Sequence, residues 1–118
     1  MQIIFKTLIL ASVASLLAFT PGPTKQVKTV TTTFWVAGIC GLCEELIEKA
    51  MDTRGVVAAD YVLDTNMLTV TYKPKKISED QLHQLLNDAG YDTDKSKATD
   101  DQYSRTPGCC KYREQEKH

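Results

Sequence analysis

The sequence around the first cysteine pair, residues 28–51, is KTVTTTFWVAGICGLCEELIEKAM, and it contains the two periodicities on which the fold depends. Up to Gly38 it is rich in β-branched and aromatic residues, which favour a strand. After Cys40 the apolar residues recur at helical spacing and form one stripe, with glutamates and a lysine on the other faces. The stripe consists of Leu42, Leu46, Ile47, Ala50 and Met51. The stretch therefore predicts a strand, a short loop with two cysteines and an amphipathic helix.

Two further strands are predicted after this helix, which ends at Gly55. Residues 56–63 (VVAADYVL) favour a strand, and residues 64–66 (DTN) are typical of a turn. Leu68, Val70 and Tyr72 then alternate with polar residues, as in a strand with one buried face. Pro74 ends this third strand.

A second helix is predicted from a capping box, in which Ser78 is followed three residues later by Gln81. Its apolar stripe consists of Leu82, Leu85, Leu86 and Ala89. Gly90 ends the helix, and residues 91–94 favour a short edge strand. The order predicts an α+β fold, a ferredoxin-like βαββαβ sandwich with two helices on one face of an antiparallel sheet.

The two ends of the chain differ from this central domain, residues 28–94. Residues 1–20 resemble a secretory signal peptide, because Lys6 precedes the apolar run TLILASVASLLAF. The run is shorter than the roughly 20 residues of a membrane span, but it lacks an Ala-x-Ala cleavage site, so an uncleaved membrane anchor is the alternative. Residues 21–27 are a linker, and residues 95–118 are predicted to be a loosely ordered polar tail on which Tyr103, Tyr112 and a cysteine pair dock locally. We expect a periplasmic or secreted protein.

Charge and composition exclude several functions. The formal net charge is −1 and the charged residues are mixed, so there is no basic patch for nucleic acid. The sequence shows no Ser/His/Asp set, no phosphate-binding loop and no paired carboxylates, so it does not indicate an enzyme. His83 is expected to be a solvated helix residue, and His118 is expected to be inert.

The four cysteines form two local pairs, Cys40/Cys43 and Cys109/Cys110. A disulfide within either pair would close almost no loop and add little stability. Cys40 and Cys43 lie about one helical turn apart at a predicted helix N-terminus, where positive potential stabilises thiolates. Gly38 and Gly41 are expected to let the backbone bend around an ion. Because thiolates prefer soft ions, the pair predicts an exposed Cu(I) site.

Two alternatives remain open at this point. A Cys-x-x-Cys pair also serves thiol–disulfide exchange, although only one predicted strand precedes Cys40, whereas a thioredoxin-like domain has a βαβ unit there. Cys109 and Cys110 are either extra metal ligands or free cysteines on a flexible segment. Three or four sulfurs would suit Zn(II) or a copper cluster better than a two-coordinate ion.

Residues 34–94 resemble the heavy-metal-associated domain, the module of copper chaperones, metal-pumping ATPases and the periplasmic mercuric-ion-binding protein. The resemblance rests on five short motifs: VAGI at 36–39, IEKA at 47–50, GV at 55–56, VTY at 70–72 and GY at 90–91. It implies that Cys40 and Cys43 are metal ligands and that Tyr91 lies beside the site. The family motif is Gly-Met-x-Cys-x-x-Cys, so the loop before Cys40 is one residue shorter and has Ile39 in place of Met.

The resemblance also implies what the site would bind and which proteins would receive the ion. Cu(I) is the expected ion, with Hg(II), Zn(II) and Cd(II) as alternatives. The expected acceptor is a metal-transporting membrane ATPase or another protein with metal-binding cysteines. We expect a monomer in the metal-free state.

Overall fold

The computed structural model describes residues 27–118, so the predicted signal peptide and nearly all of the linker lie outside the described residues. The elements follow the predicted order strand, helix, strand, strand, helix, with a short helix and a 3-10 turn added near the end. They are β1 (Val30–Trp35), α1 (Gly41–Ala50), β2 (Val56–Val62), β3 (Met67–Tyr72), α2 (Glu79–Asp88), α3 (Asp100–Ser104) and the 3-10 turn Gly108–Cys110. No helix within residues 27–118 is long and apolar enough to cross a membrane.

The sheet is antiparallel, with β3 between β1 and β2. Leu68 of β3 pairs with Phe34 of β1 on one side and with Tyr61 of β2 on the other, so three buried side chains lie in one row across the sheet. Threonine hydroxyls pair between β1 and β3 in an exposed row. This alternation of buried and exposed residues is expected for a sheet with one face on the core.

Both helices pack on the buried face of the sheet, which confirms the predicted architecture. α1 contributes Cys43 and Ile47, and α2 contributes Leu82 and Leu86; all four side chains are buried in one core cluster. Burying a Leu or Ile side chain contributes roughly 1.5–3 kcal/mol relative to leaving it exposed. The capping box of Ser78 and Gln81 is present at the start of α2, as predicted.

His83 belongs to this core, so its prediction as a solvated residue was wrong. It is 3% exposed, and its ring centroid lies 4.1 Å from that of Phe34. Its Nδ1 forms a 2.6 Å hydrogen bond with the Thr93 hydroxyl, which satisfies the buried ring. The pattern of apolar residues could not show that the chain after α2 returns to this face.

The predicted edge strand at residues 91–94 is reduced to a single bridge between Val36 and Thr93. The backbone N–H of Ala37 donates to Asp92 O, and that of Asp94 donates to Trp35 O. The Thr93 hydroxyl then accepts hydrogen bonds from the backbone N–H groups of Lys95 and Ser96. This local turn bends the chain away from the sheet before a longer ladder can form.

Residues 95–118 are packed and hydrogen-bonded, so their prediction as a loosely ordered tail was wrong, although the expected local docking occurs. α3 begins with a second capping box, formed by Thr99 and Gln102, and it buries Tyr103. The short helix can approach α2 closely because Gly90 has no side chain; a Cβ there would lie 2.7 Å from Gln102 O. A helix of five residues is too short for apolar periodicity, but Thr99-x-x-Gln102 was a usable signal.

Candidate metal centre

Two side chains of the β2–β3 hairpin form hydrogen bonds with the backbone of the loop before α1. The Tyr61 hydroxyl donates to Val36 O at 2.8 Å, and Asn66 Nδ2 donates to Gly38 O at 2.7 Å and to the Tyr61 oxygen at 2.9 Å. Asn66 has a φ of 60°, a left-handed conformation that asparagine tolerates better than most residues. The sequence pattern predicts a strand through Tyr61 and a turn at Asn66, but it does not indicate that these residues fix the cysteine loop.

Gly38 and Gly41 differ in their surroundings. A Cβ on Gly38 would lie 2.6 Å from the Tyr61 hydroxyl, so this position requires glycine for close packing. A Cβ on Gly41 would meet nothing within 4 Å, and neither glycine has a positive φ. A left-handed backbone conformation is therefore not the reason for either glycine, and their expected role in bending the backbone around an ion stays a prediction.

The sulfurs of Cys40 and Cys43 are 3.2 Å apart, with Cys40 immediately before α1 and Cys43 in its first turn. Both side chains are free thiols. The spacing arises because residues three apart at a helix start lie on the same side of the helix. The structure thus brings together the two cysteines that the sequence predicted as a pair.

A third sulfur belongs to the same cluster and comes from the far end of the chain. Cys110 Sγ lies 3.7 Å from Cys40 Sγ, and the sulfurs of Cys40, Cys43 and Cys110 all lie within 4.8 Å of one another. The 3-10 turn after Pro107 places Cys110 here, with its N–H bonded to Pro107 O at 2.8 Å. Sequence reasoning had left Cys110 open between a ligand and a free cysteine.

Cys109 lies beside this three-sulfur cluster but outside it. Its side chain is half-buried, and its sulfur is 4.0 Å from that of Cys110. Its carbonyl oxygen accepts a 3.5 Å hydrogen bond from the Cys40 thiol. The two adjacent cysteines therefore differ, because only Cys110 turns inward.

The thiols are buried, and the predicted exposure of the site was wrong. Cys40 is 7% exposed, and Cys43 and Cys110 are both 0% exposed. Residues from the end of the chain lie over the cysteine loop: the backbone N–H of His118 donates to Ile39 O at 2.8 Å, and Lys117 Nζ donates to Asn66 Oδ1 at 2.9 Å. His118, which was expected to be inert, is thus attached to the loop through its backbone.

The three thiols differ in acidity. Burial raises the pKa of Cys40, but hydrogen bonds from the Cys43 side chain and backbone and from Cys110 outweigh burial and lower it to about 7. Burial raises the pKa of Cys43. Burial, together with the hydrogen bond to Cys43, also raises that of Cys110. One thiolate therefore forms readily and the other two thiols become anionic most easily when a cation is present.

Tyr91 lies next to the sulfurs, as the resemblance implied. It is fully buried, and its hydroxyl has no hydrogen bond of standard geometry among the described residues. Burial raises its pKa, and the neighbouring Cys110 thiol raises it further. A neutral Tyr91 hydroxyl beside Cys110 can donate to a sulfur that becomes a thiolate, which would satisfy a buried polar group.

The cluster fits a single soft ion. Three sulfurs about 2.3 Å from one ion in a trigonal plane are about 4.0 Å apart. The observed separations, from 3.2 Å to within 4.8 Å, bracket this value, so small side-chain adjustments suffice. The donors are all sulfur, which favours thiophilic ions over Mg²⁺ or Ca²⁺.

Comparison with known proteins agrees with the fold and with the cysteine pair. The sequence profile of the heavy-metal-associated domain matches residues 33–92. The copper chaperone CopZ of Staphylococcus aureus is 33% identical over 54 residues, which make up 45% of this chain and 79% of CopZ.

Two solved structures are similar over the same region. Oxidized MerP from Ralstonia metallidurans CH34 is 32% identical with a TM-score of 0.54, over 56% of this chain and 94% of MerP. A copper binding domain from HMA7, a P-type ATPase, is 27% identical with a TM-score of 0.52, over 54% of this chain and 89% of that domain. The matched profile ends at residue 92, so Cys109 and Cys110 lie beyond it. With its fold, its Cys-x-x-Cys pair and these matches, the chain belongs to the heavy-metal-associated domain family.

Proposed function

We propose that this protein is an exported metallochaperone that captures a soft metal ion, Cu(I) before others, on the thiolates of Cys40 and Cys43 and passes it to another protein. The observation that carries the proposal is the 3.2 Å separation of the two sulfurs at the start of α1. Two thiolates at this distance can face one ion. Relatives named as copper chaperones and as a copper-binding ATPase domain support copper as the cargo.

Transfer would proceed by ligand exchange with a protein that carries its own cysteines. The incoming thiolate forms a bond to the ion as one thiolate of this chain leaves, and no electron moves. A metal-transporting membrane ATPase is the proposed acceptor, because a similar solved domain belongs to such an ATPase. The acidic residues Glu44 and Glu45 of α1 lie close to the cysteines in sequence; Glu45 is exposed and Glu44 is half-buried, and their charges suit a basic partner surface.

Hg(II), Zn(II) and Cd(II) are the alternative cargoes, and a competition experiment against bound Cu(I) distinguishes them. The relatives include MerP, and an all-sulfur site accepts each of these ions. Displacement of bound Cu(I) by an equal concentration of any of the three ions, under a buffer that fixes the free concentrations, would change the proposed cargo. Retention of Cu(I) against all three ions supports it.

The binding test uses the full chain, reduced and handled without oxygen. Cu(I) is titrated against a competing chelator of known affinity, with the double variant Cys40→Ser/Cys43→Ser as the matched control. We expect one equivalent of Cu(I) to bind to the unaltered protein and none to the double variant. Binding that persists in the double variant, or its absence from the unaltered protein, would overturn the proposal.

Thiol–disulfide exchange by the same two cysteines is the second candidate function. A 3.2 Å contact can close to the roughly 2.05 Å of a disulfide, and a Cys40 pKa of about 7 suits a nucleophilic thiol. This function predicts catalysed reduction of a test disulfide such as insulin and no stoichiometric metal. The metallochaperone proposal predicts stoichiometric metal binding and no catalysed reduction of the disulfide, so these two assays distinguish the two functions.

Export is proposed from the sequence of residues 1–20 alone. Expression of the full chain in a bacterium, followed by fractionation and intact-mass measurement, tests it. We expect a periplasmic species that has lost the first segment. A membrane-bound species of full mass would indicate the uncleaved anchor, and a cytoplasmic species of full mass would contradict export. Sedimentation of the metal-free protein is expected to give a monomer.

A further inference from the structure

The buried position of Cys110 calls for a function beyond packing. Its sulfur is fully buried, 3.7 Å from Cys40 Sγ, although 70 positions separate the two residues in the chain. Two features beside it point to a ligand: the Cys40/Cys43 pair, and the buried Tyr91 hydroxyl, which has no standard hydrogen bond among the described residues. A buried tyrosine hydroxyl usually has a partner, and a Cys110 thiolate would provide one.

The segment that carries Cys110, residues 107–118, is here called the cover segment. It is attached mainly through Tyr112 and Arg113. The Tyr112 hydroxyl donates to Gly90 O at 2.7 Å and accepts from the Asp92 N–H at 3.0 Å. Arg113 Nη2 contacts Asp92 Oδ1 and Ala98 O, both at 2.8 Å.

The Tyr112 ring packs against the core, but the hydrogen bonds and the ion pair of this segment lie partly at the surface. The Arg113 side chain is 29% exposed in its ion pair with Asp92. Partly exposed ion pairs and hydrogen bonds contribute about 1 kcal/mol each or less. Detachment would also expose Cys110 and the half-buried Tyr112 ring, but it leaves the rest of the core packed, so it costs less than unfolding of the sheet. The hydrogen-bonded ladders of the sheet do not involve this segment.

We propose that Cys110 is the third ligand of the captured ion, and that detachment of the cover segment converts a closed three-thiolate site into an open two-thiolate site from which the ion is transferred. This inference rests on the proposed function and deepens it. The closed site would bind a soft ion that accepts three thiolates, such as Cu(I). In the exchange step the bond from the ion to Cys110 Sγ breaks, Cys110 takes a proton from solvent, and a thiolate of the acceptor forms the new bond.

A detachable cover segment explains how an ion bound by buried thiols could still be transferred to an acceptor. An acceptor thiolate cannot reach an ion enclosed by Cys40, Cys43 and Cys110 while the cover segment is in place, because all three side chains are less than one tenth exposed. When the segment detaches, the remaining pair corresponds to the cysteine pair within the matched part of the chain, residues 33–92. The bound ion is therefore retained until the segment is displaced.

The first test compares Cys110→Ser with Cys109→Ser in the full chain loaded with one equivalent of Cu(I) under anaerobic conditions. X-ray absorption at the copper edge counts the sulfur ligands. We expect three sulfurs in the unaltered protein and in Cys109→Ser, and two in Cys110→Ser. Two sulfurs in the unaltered protein, or the same count in both variants, would overturn the third-ligand proposal.

The second test measures release without removing a sulfur. Transfer of Cu(I) to an excess of a small dithiol chelator is followed by stopped-flow absorbance. Arg113→Ala weakens the attachment of the cover segment and is expected to speed release about tenfold while three sulfurs remain; Arg105→Ala, which removes an exposed pair with Asp101 in α3, is the control. Equal rates for Arg113→Ala and the unaltered protein would contradict the detachment step.

Failure of this inference is distinguishable from failure of the proposed function. If the unaltered protein binds one Cu(I) that depends on Cys40 and Cys43 but shows two sulfurs, only the role of Cys110 is wrong. If it binds no Cu(I), the metallochaperone proposal itself fails. Circular dichroism and thermal unfolding of Cys110→Ser, repeated with Cys110→Ala, show whether a lost sulfur reflects a lost ligand or a lost fold.

Discussion

At the scale of single residues, the conformation of the cysteine loop depends on residues that are not themselves proposed metal ligands. Gly38 lies against Tyr61, and the Tyr61 hydroxyl and the Asn66 amide together fix the carbonyls of Val36 and Gly38. Burial raises the pKa of Tyr61 to about 12, so its hydroxyl stays protonated and donates at every pH at which the protein would be studied. The backbone that leads to Cys40 is thus held by hydrogen bonds from two neutral side chains.

Gly38→Ala is expected to destabilise the protein by about 1–3 kcal/mol, because the new methyl group would overlap the Tyr61 hydroxyl at 2.6 Å. Gly41→Ala is the matched control, since its methyl group meets no atom within 4 Å. We expect the control to change stability by less than about 0.5 kcal/mol. Urea unfolding of both variants measures the difference, and equal stabilities would contradict the role given to Gly38.

His83 makes stability depend on pH below neutrality. Burial lowers its pKa from 6.5, although Asp94 acts in the opposite direction, so the folded protein keeps the ring neutral while the unfolded chain takes up a proton. More protons are then bound in the unfolded state, and stability falls as pH decreases from 6.5 towards the lowered pKa. The slope is at most about 1.4 kcal/mol per pH unit, the limit for one proton.

The measurement is the free energy of unfolding between pH 7.5 and pH 5.5, for the unaltered protein and for His83→Gln. The variant is expected to be less stable at pH 7.5 but to lose less stability on acidification. The same slope in both proteins would show that other groups cause the pH dependence.

At the scale of secondary-structure elements, the cover segment is joined to the domain at the end of α2. Tyr112 stacks on Tyr91 with ring centroids 6.0 Å apart, and Tyr103 of α3 meets Tyr112 edge to face at 5.1 Å. Arg113 lies over the Tyr103 ring at 4.4 Å. The three aromatic rings thus connect the thiol cluster with α3, and the position of Cys110 depends on them.

Tyr112→Phe removes two hydrogen bonds from this junction, to Gly90 O and from the Asp92 N–H, but keeps the ring. We expect the buried thiols of the metal-free protein to react several-fold faster with a thiol reagent, because each lost hydrogen bond makes opening about 1 kcal/mol easier. Tyr72→Phe is the control, since this buried tyrosine of β3 lies in the sheet. Unchanged reactivity of Tyr112→Phe would show that Tyr112 does not hold the cover segment.

At the scale of the whole molecule, the proposed ion joins the first helix to the last segment of the described chain. Its ligands would come from the start of α1 and from the cover segment, which otherwise meet through the buried thiols and a few hydrogen bonds. Any ligand that binds only the folded state raises stability by mass action, about 2.7 kcal/mol at a concentration one hundred times the dissociation constant. Binding of the ion should therefore stabilise the attached state of the cover segment.

Loading with one equivalent of Cu(I) is expected to raise the thermal midpoint and to slow amide hydrogen exchange most strongly in residues 107–118. In Cys110→Ser the midpoint is expected to rise less, and exchange in this segment should stay fast. Removal of the ion with a chelator should restore fast exchange in the unaltered protein. Protection confined to the loop before α1 would contradict coupling to the cover segment.

Much of the fold followed from local patterns. The β-branched strand at Val30–Trp35, the apolar stripe of α1 and the capping box at Ser78 each act through neighbours in the sequence, so they could be predicted. Leu42 is the exception in that stripe, since it is 41% exposed. The short edge strand was only partly correct, since the hydroxyl turn at Thr93 competes with the sheet. The burial of His83 was missed because it depends on a return of the chain to Phe34.

The sequence by itself determined that Cys40 and Cys43 form a pair, since residues three apart at a helix start must lie close together. Only the tertiary structure decided that Cys110 joins them and that the three thiols are enclosed. The physical reason is that a contact between residues 70 positions apart depends on the packing of Tyr103, Tyr112 and Arg113 on a surface that the folded domain creates. The periodicity of the sequence does not predict such a surface.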